Sequence, residues 1–232
     1  MKLVWREALP LAALLAVVAV VAGWFYPWLA VLPTLLLAFT LWFFRDPERK
    51  APDDPGALIS PADGRVIRVD AERISIFLNV FNVHVCRTPI AGRVASVVHT
   101  KGRFLAAFKD EASEQNERAA LEVDGGAHRV RFTMVAGLIA RRILTWVAEG
   151  RSLEAGERIG LIRFGSRVDV DLPAGTTPGV AVGDRVVAGE SVIARLPRAT
   201  GADSWRGEGN SGIVRNGQDE DGKTVKTGKE HA

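Results

Sequence analysis

The feature that most constrains this chain is an uncharged stretch from Ala8 to Phe44, close to the amino terminus. At about 1.5 Å per helical residue, the stretch is longer than one crossing of a hydrocarbon core of roughly 30 Å requires. Gly23–Trp28 lies near its middle and contains glycine, proline and aromatic residues, which favour a turn at a membrane interface. Residues 1–44 are therefore predicted to anchor the chain in a membrane as a helical hairpin of two short spans, roughly 8–24 and 28–44.

The charges that flank the stretch predict its orientation. Lys2 and Arg6 precede the first predicted span, and Arg45, Arg49 and Lys50 follow the second. Because cytoplasmic segments carry an excess of Lys and Arg, both ends of the hairpin are expected on the cytoplasmic side. The protein is thus predicted to reside at the cell membrane, with the rest of the chain facing the cytoplasm.

Two other interpretations of the amino-terminal segment remain open. Lys2 and Arg6 could form the basic region of a signal peptide, although Glu7 interrupts that region and the apolar stretch does not stop. A single long helix, kinked at Pro27 or Pro33, would instead place the rest of the chain on the side opposite the amino terminus.

The remainder of the chain has a β pattern. Residues 45–57 are rich in proline and charge and are predicted to be an extended linker before a β-rich catalytic domain at 58–198. Alternating or β-branched runs occur at 65–69, 74–78 and 168–172, with glycine and proline between them. The predicted fold is mainly β, a β-rich α+β domain that follows a transmembrane helical hairpin.

Three further segments have patterns of their own. Val182–Ala194 is predicted to form two short strands around a turn at Ala188-Gly189, similar to the hairpins of lipoyl- and biotinyl-type domains. Asp110–Arg118 is the predicted helix of the domain. Residues 199–232 contain almost no large apolar residues and are predicted to be a disordered tail.

Composition excludes several classes of protein. Cys86 is the only cysteine, so an internal disulfide cannot form, and no Cys/His cluster has the spacing of a metal site. The net charge of +3 suits an anionic lipid surface or an acidic substrate. Since no dense tract of Lys and Arg is interleaved with aromatic residues, no nucleic-acid partner is predicted.

The Gly165-Ser166 dipeptide lies in a strand-rich segment and could undergo a reaction of its own backbone. Glycine adopts backbone angles that other residues resist, and the Ser166 hydroxyl lies close to the Gly165 carbonyl. Attack by that hydroxyl would give an ester, and elimination followed by hydrolysis would leave a pyruvoyl group at a new amino terminus. Taken alone, Gly-Ser is most often a simple turn.

Several other polar residues stand where chemistry is conceivable. Asp63 lies in the tight turn Ser60–Gly64, where it either caps the turn or acts as a carboxylate in a site. His84 alternates with apolar residues and is either a core histidine or a general acid and base. Arg87 could hold a phosphate or carboxylate, and Cys86 is expected to be a buried filler.

Three further polar segments give weaker signals. Asn116 and Arg118, like Arg141-Arg142, are more typical of a solvated surface than of a ligand contact. Lys101–Lys109 places basic residues around two phenylalanines and could lie on a bilayer or pack as an ordinary loop.

Together these segments resemble phosphatidylserine decarboxylases, specifically the short branch found in archaea and many bacteria. The resemblance covers nearly everything from Phe43 to Leu196, and its motifs occur in one order: Phe43–Arg49, Ser60–Gly64, Phe81–Val85, Ser113–Arg118 and Phe164–Ser166. It implies a proenzyme that cuts itself between Gly165 and Ser166. The fragments would be 1–165 and 166–232, and the covalent pyruvoyl cofactor would come from Ser166.

The resemblance also implies roles for residues and partners. Ser166, His84 and Asp63 would form the processing triad. Longer members carry two histidines three residues apart; His84 matches the first position, Arg87 stands at the second, and His99 is the fallback base if His84 points away from Ser166. The product of phosphatidylserine would be phosphatidylethanolamine, with release of carbon dioxide. Membrane lipids are expected partners, a homo-oligomer is left open, and Arg87, Asn116 and Arg118 are the candidate substrate contacts.

Two rival functions remain open from the sequence. A membrane-anchored, lipoyl-like adaptor would need no catalysis, although true lipoyl domains present a lysine at the hairpin tip and the turn at Ala188-Gly189 has none. A pyruvoyl enzyme acting on a free amino acid would share the self-cleavage but have no need of an apolar hairpin.

Overall fold

The computed structural model of this chain describes residues 2–102, 115–137, 142–163 and 165–198. The predicted tail at 199–232 and most of the predicted helix at 110–118 lie outside the described residues, although Arg118 begins a strand. The predicted membrane-contacting segment 101–109 is described only at its first two residues.

The amino-terminal segment folds back on itself. It comprises β1 (Lys2–Leu3), α1 (Trp5–Phe25), a 3-10 helix (Pro27–Ala30), α2 (Val31–Phe43) and β2 (Arg45–Asp46). β1 pairs antiparallel with β2, so the two ends of the segment lie side by side. Most large apolar side chains of both helices are exposed, and α1 is long and apolar enough to cross a membrane.

Fourteen strands follow within the described residues. In chain order they are β3 (Ala57–Ile59), β4 (Gly64–Val69), β5 (Arg73–Leu78), β6 (Val85–Arg87), β7 (Gly92–Thr100), β8 (Arg118–Asp124), β9 (Arg129–Ala136), β10 (Ile143–Thr145), β11 (Ser152–Leu153), β12 (Arg158–Ile162), β13 (Ser166–Asp171), β14 (Thr177–Pro178), β15 (Arg185–Val186) and β16 (Val192–Arg195). The mainly β fold predicted from the sequence is confirmed.

The strands form one large sheet and two smaller ones. The large sheet has the order β11-β7-β8-β9-β13-β5-β4-β15, and the smaller sheets are β10-β12-β6 and β14-β16-β3. All of these pairs are antiparallel. The predicted runs at 65–69, 74–78 and 168–172 correspond to β4, β5 and β13.

β13 is an interior strand of the large sheet and is buried on both faces. Val168 and Val170 point into the main core together with Ile76 of β5. On the other face Arg167 and Asp169 form a buried ion pair with 2.5 Å between Nε and Oδ1. Each of these two charges needs the other, because burial of an unpaired charge costs a large amount of free energy.

The segment 182–194 forms two short strands around a turn, as predicted, but the two strands do not pair with each other as in a simple hairpin. The turn at Ala188-Gly189 is present, but β15 pairs with β4 and β16 pairs with β3 and β14, so the two strands join different sheets. The backbone N–H groups of the turn explain the divergence. That of Ala188 donates to Asp63 and that of Gly189 to the carbonyl of Ser60, which draws the turn onto the Ser60–Asp63 segment.

Candidate active site

The site is built around the turn that enters β13. Gly165 has φ +66°, a left-handed conformation, and an added Cβ would meet no atom within 4 Å. Glycine is required there for its backbone angle, since a side chain makes left-handed angles unfavourable even where space is free. Phe164, on the other side of the glycine, lies outside the described residues.

Ser166 is the first residue of β13 and is fully buried. It pairs with Ala136 of β9 on one side and Leu78 of β5 on the other. Its Oγ atom has no hydrogen-bond partner among the described residues. Burial of an unsatisfied hydroxyl costs about 1–3 kcal/mol, so this group is a candidate for chemistry at the adjoining peptide bond.

His84 lies immediately before β6 with its imidazole facing the Gly165 turn. The Gly165 N–H donates to Nε2 at 3.4 Å, and Nδ1 lies 2.9 Å from the carbonyl oxygen of Asn82. Because a carbonyl only accepts, Nδ1 carries the proton and the lone pair of Nε2 points at the Gly165 segment. Burial lowers the pKa of His84 to about 4, so the ring is a neutral base at ordinary pH.

Asp63 ends the turn before β4, and its carboxylate joins three parts of the site. It accepts the N–H of Ala188 at 2.8 Å, the backbone N–H of Val83 and the guanidinium of Arg49 at 3.1 Å. Burial raises the pKa of Asp63, while these hydrogen bonds and the charge of Arg49 act in the opposite direction. Asp63 therefore holds the peptide beside His84, and the oxygen that orients the ring itself belongs to Asn82.

His99, the fallback base, lies on β7 and contacts Thr145 at 3.1 Å. Two strands, β8 and β9, separate β7 from β13 in the sheet. The residues in line with His99 are Ala119 on β8, Met134 on β9 and Val168 on β13. At about 4.8 Å per strand, His99 is roughly 14 Å from β13. The structure thus brings His84, and not His99, to the Gly165 turn.

The other predicted site residues have separate surroundings. The buried guanidinium of Arg87 donates to Gly156, Asp46 and Pro47, so it ties the linker to the domain. Burial raises the pKa of Cys86 to about 12, which keeps its thiol protonated. Arg141 lies outside the described residues.

Asn116 and Arg118 lie on the side of β13 formed by β8 and β9. Asn116 is buried and donates to the carbonyl of Ala136 at 2.7 Å, and Ala136 is the residue opposite Ser166. The structure therefore places Asn116 close to the serine, while Arg118 begins β8, next to β9.

A cleft of about 440 Å³ opens at the same end of the large sheet as Ser166. Its polar lining comes from Asp63, Arg65, Asn79, Asn82 and Arg185. Arg65 and Arg185 are exposed and lie directly opposite each other on β4 and β15. Like charges in this position repel, and an anion bound between the two guanidinium groups would relieve that repulsion.

Sequence reasoning missed several contributors to the site. Asn82 and Arg49 lie within motifs that had been recognised, but their roles depend on contacts with His84 and Asp63 that only the fold creates. Arg65 and Arg185 are far apart in the sequence and meet through strand pairing. Among the described residues, no group of three or more His, Cys, Asp or Glu side chains is arranged to hold a metal ion.

Fold and site together define a class: a β-rich domain on an apolar helical segment, with a buried serine and a neutral imidazole at a Gly-Ser bond. A family model described as phosphatidylserine decarboxylase matches residues 36–194. Proteins named phosphatidylserine decarboxylase proenzyme are similar over most of this chain. The one from Symbiobacterium thermophilum is 48% identical over 83% of this chain and 95% of its own length.

Two further relatives carry the same name. The Desulfotalea psychrophila protein is 48% identical over 70% of this chain and 81% of its own length. The Syntrophus aciditrophicus protein is 45% identical over 81% of this chain and 95% of its own length. The chain belongs to the phosphatidylserine decarboxylase family.

Proposed function

We propose that this chain is a proenzyme that cuts itself between Gly165 and Ser166 and then decarboxylates phosphatidylserine to phosphatidylethanolamine and carbon dioxide. The observation that carries the proposal is the buried Ser166 hydroxyl, which has no partner among the described residues and follows a left-handed glycine that contacts His84. The relatives named as proenzymes support it.

In the self-cleavage, Ser166 Oγ attacks the Gly165 carbonyl carbon while His84 Nε2 takes the hydroxyl proton. The peptide C–N bond breaks, the Ser166 nitrogen leaves as an amine, and an ester joins the two halves. Removal of the Ser166 α-proton then breaks the ester C–O bond, which gives a Gly165 carboxylate and an unsaturated residue. Water replaces the nitrogen of that residue, ammonia leaves, and a pyruvoyl group remains at the amino terminus of fragment 166–232.

The surroundings of Ser166 fit such a group. Strand pairing with Ala136 and Leu78 would hold the new terminus in the sheet after the cut. Because Oγ makes no hydrogen bond to a described residue, a carbonyl oxygen in its place would break no existing contact. When present, the pyruvoyl carbonyl supplies an electron sink for the substrate amine, so that the carboxylate leaves as carbon dioxide. His84 Nε2 would carry the proton that replaces it.

The arginine-lined cleft beside Asp63 is the proposed site of the anionic lipid headgroup. Arg65 and Arg185 would pair with the phosphodiester, because guanidinium groups bind phosphate through charge-assisted hydrogen bonds. Phe81, 67% exposed, also lines this cleft and lies 6.2 Å from the ring of Trp42 near the end of α2. A lipid held by its tails near the hairpin could therefore present its headgroup to the cleft without leaving the bilayer.

The apolar hairpin is the proposed membrane anchor. Pairing of β1 with β2 puts both of its ends on one side, where Arg45 and Arg49 also lie. Anchoring on the cytoplasmic side follows from these charges, and confinement to the surface raises the frequency of encounter with a bilayer substrate.

The test is a pair of measurements on full-length protein in vesicles that contain phosphatidylserine. Denaturing electrophoresis and mass spectrometry of the small fragment should show two chains and a pyruvoyl terminus. Carbon dioxide should be released from phosphatidylserine. Release from free serine instead would favour a pyruvoyl enzyme of a soluble amino acid, and a single uncut, inactive chain would favour an adaptor.

A further inference from the structure

The last residue of α2 forms one wall of the pocket around His84. The ring of Phe43 packs on the imidazole, with 4.5 Å between ring centroids and 36° between the ring planes. Phe43 is 1% exposed and His84 is fully buried. The hairpin therefore shields from water the ring whose lone pair faces Gly165.

The first turn of α1 holds the other side of the cleavage site. Glu7 forms an ion pair with Arg163, two residues before Gly165. The same guanidinium lies 5.9 Å from the ring of Phe44, and the Phe44 carbonyl accepts the N–H of Val4. The chain entering the Gly165 turn is thus fixed to both ends of the hairpin.

These contacts belong to a small apolar cluster distinct from the main core. We call it the base cluster, and its buried members are Ala8, Phe43, Phe44, Val83, Val85 and Leu161. Val83 and Val85 flank His84 in the sequence, and Leu161 precedes Arg163 by two residues. Residues of the hairpin therefore pack directly on the sequence neighbours of His84 and on a residue close to the Gly165-Ser166 bond.

We propose that the base of the apolar hairpin positions the cleavage machinery, with Phe43 as a positioning residue for His84 and Glu7 as one for the Gly165 turn. The inference rests on the self-cleavage proposed above. It means that the hairpin is a structural part of the proenzyme as well as its anchor. A different membrane anchor attached to the domain would not restore the cut, because a displacement of about 1 Å can cost two orders of magnitude in rate.

The test compares self-cleavage of full-length variants made by pulse-labelled cell-free synthesis in vesicles. Phe43→Ala and Glu7→Gln should each slow the cut by about tenfold or more. Phe39→Ala is the matched control, since Phe39 lies one turn earlier on α2 and contacts the Phe43 ring without being in the base cluster. It should be cut at the parental rate.

Two further readouts separate positioning from folding. The exchange of Glu7→Arg with Arg163→Glu should restore a rate that either change alone reduces. The pH at which acid halves the cleavage rate, called here the acid limb, should be higher in Phe43→Ala than in the parental chain, because a hydrated imidazole is easier to protonate. Arg45 is the charged group that acts on the pKa of His84, and Asp63 accepts the backbone N–H of the adjacent Val83; both are retained in that variant.

The outcomes are distinguishable from failure of the proposed function. If the parental chain is never cut, the self-cleavage itself is wrong. If the parental chain is cut and Phe43→Ala and Glu7→Gln match its rate, the hairpin base has no positioning role. Slower cutting without rescue by the exchanged pair, and with an unmoved acid limb, would also overturn the proposal, since it would indicate a general loss of stability.

Discussion

The Nε2 atom of His84 lies 3.4 Å from the backbone nitrogen of Gly165, although 81 residues separate the two in the sequence. The contact places an unprotonated imidazole nitrogen on the residue before the buried Ser166 hydroxyl. It also explains why His84 is the base of the proposed cut, because His99 lies several strands away.

Replacement of Ser166 by alanine is expected to abolish the cut without harming the fold. The Oγ atom has no partner among the described residues, so its removal should leave stability unchanged or raised by about 1 kcal/mol. Electrophoresis should show one band, decarboxylation should be absent, and the denaturant midpoint should not fall. A Ser166→Ala chain that is still cut would place the scissile bond elsewhere.

The rate of self-cleavage is expected to resist acid. With the pKa of His84 lowered to about 4, its base form persists well below pH 6.5, where an ordinary histidine is half protonated. The rate should change little between pH 7 and pH 5 and fall near pH 4. A half-maximal rate near pH 6.5 would indicate a solvated base.

The same group predicts a loss of stability in acid. Protonation is disfavoured in the folded state, so the unfolded chain binds more protons between pH 6.5 and about 4. The contribution of His84 is fully present above pH 6.5 and is lost progressively as the pH falls toward 4. His84→Gln should reduce this slope in denaturant titrations of the uncut Ser166→Ala background.

Asp63→Asn is expected to slow the cut and to destabilise the domain by about 2 kcal/mol. It removes the negative charge that accepts the N–H groups of Ala188 and Val83, and it leaves Arg49 with the more exposed Glu190 as its ion-pair partner. Glu190→Gln is the matched control. Glu190 pairs with the same guanidinium but is 42% exposed, so its loss should cost no more than about 1 kcal/mol. Equal effects of the two variants on cleavage would mean that Asp63 is only an ion-pair partner.

Neutralising the two cleft arginines should affect substrate binding and leave processing intact. The double variant of Arg65→Gln and Arg185→Gln is expected to raise KM for phosphatidylserine about tenfold, which corresponds to the loss of one charge-assisted hydrogen bond. Arg131→Gln, an exposed arginine on β9, is the control. An unchanged KM in the double variant would move the headgroup site away from this cleft.

Local patterns were sufficient to predict what depends on neighbours in the sequence. The β-branched runs predicted β4, β5 and β13, and the uncharged stretch predicted paired apolar helices. The partners of β15 and β16 could not be predicted, because the turn between them is held by Asp63 and Ser60 from another part of the chain. The packing of Phe43 on His84 is equally non-local, and a sequence that suggests a membrane span gives no sign that its last residue contacts a base.

Gly165→Ala is expected to slow the cut while the domain still folds. A Cβ at φ +66° costs about 1–2 kcal/mol, and no atom lies close enough for a clash. The turn can relax only by changing φ, which moves the Gly165 carbonyl relative to Ser166 Oγ and weakens the contact with His84.

Gly126→Ala provides the matched control, because Gly126 also has a positive φ, +86°, with open space around it, and lies away from the site. Both variants should lose similar stability in denaturant titrations, and only Gly165→Ala should accumulate uncut chain. If the two are cut at the same rate, the left-handed glycine is a feature of the turn alone and the geometry required for attack must arise elsewhere.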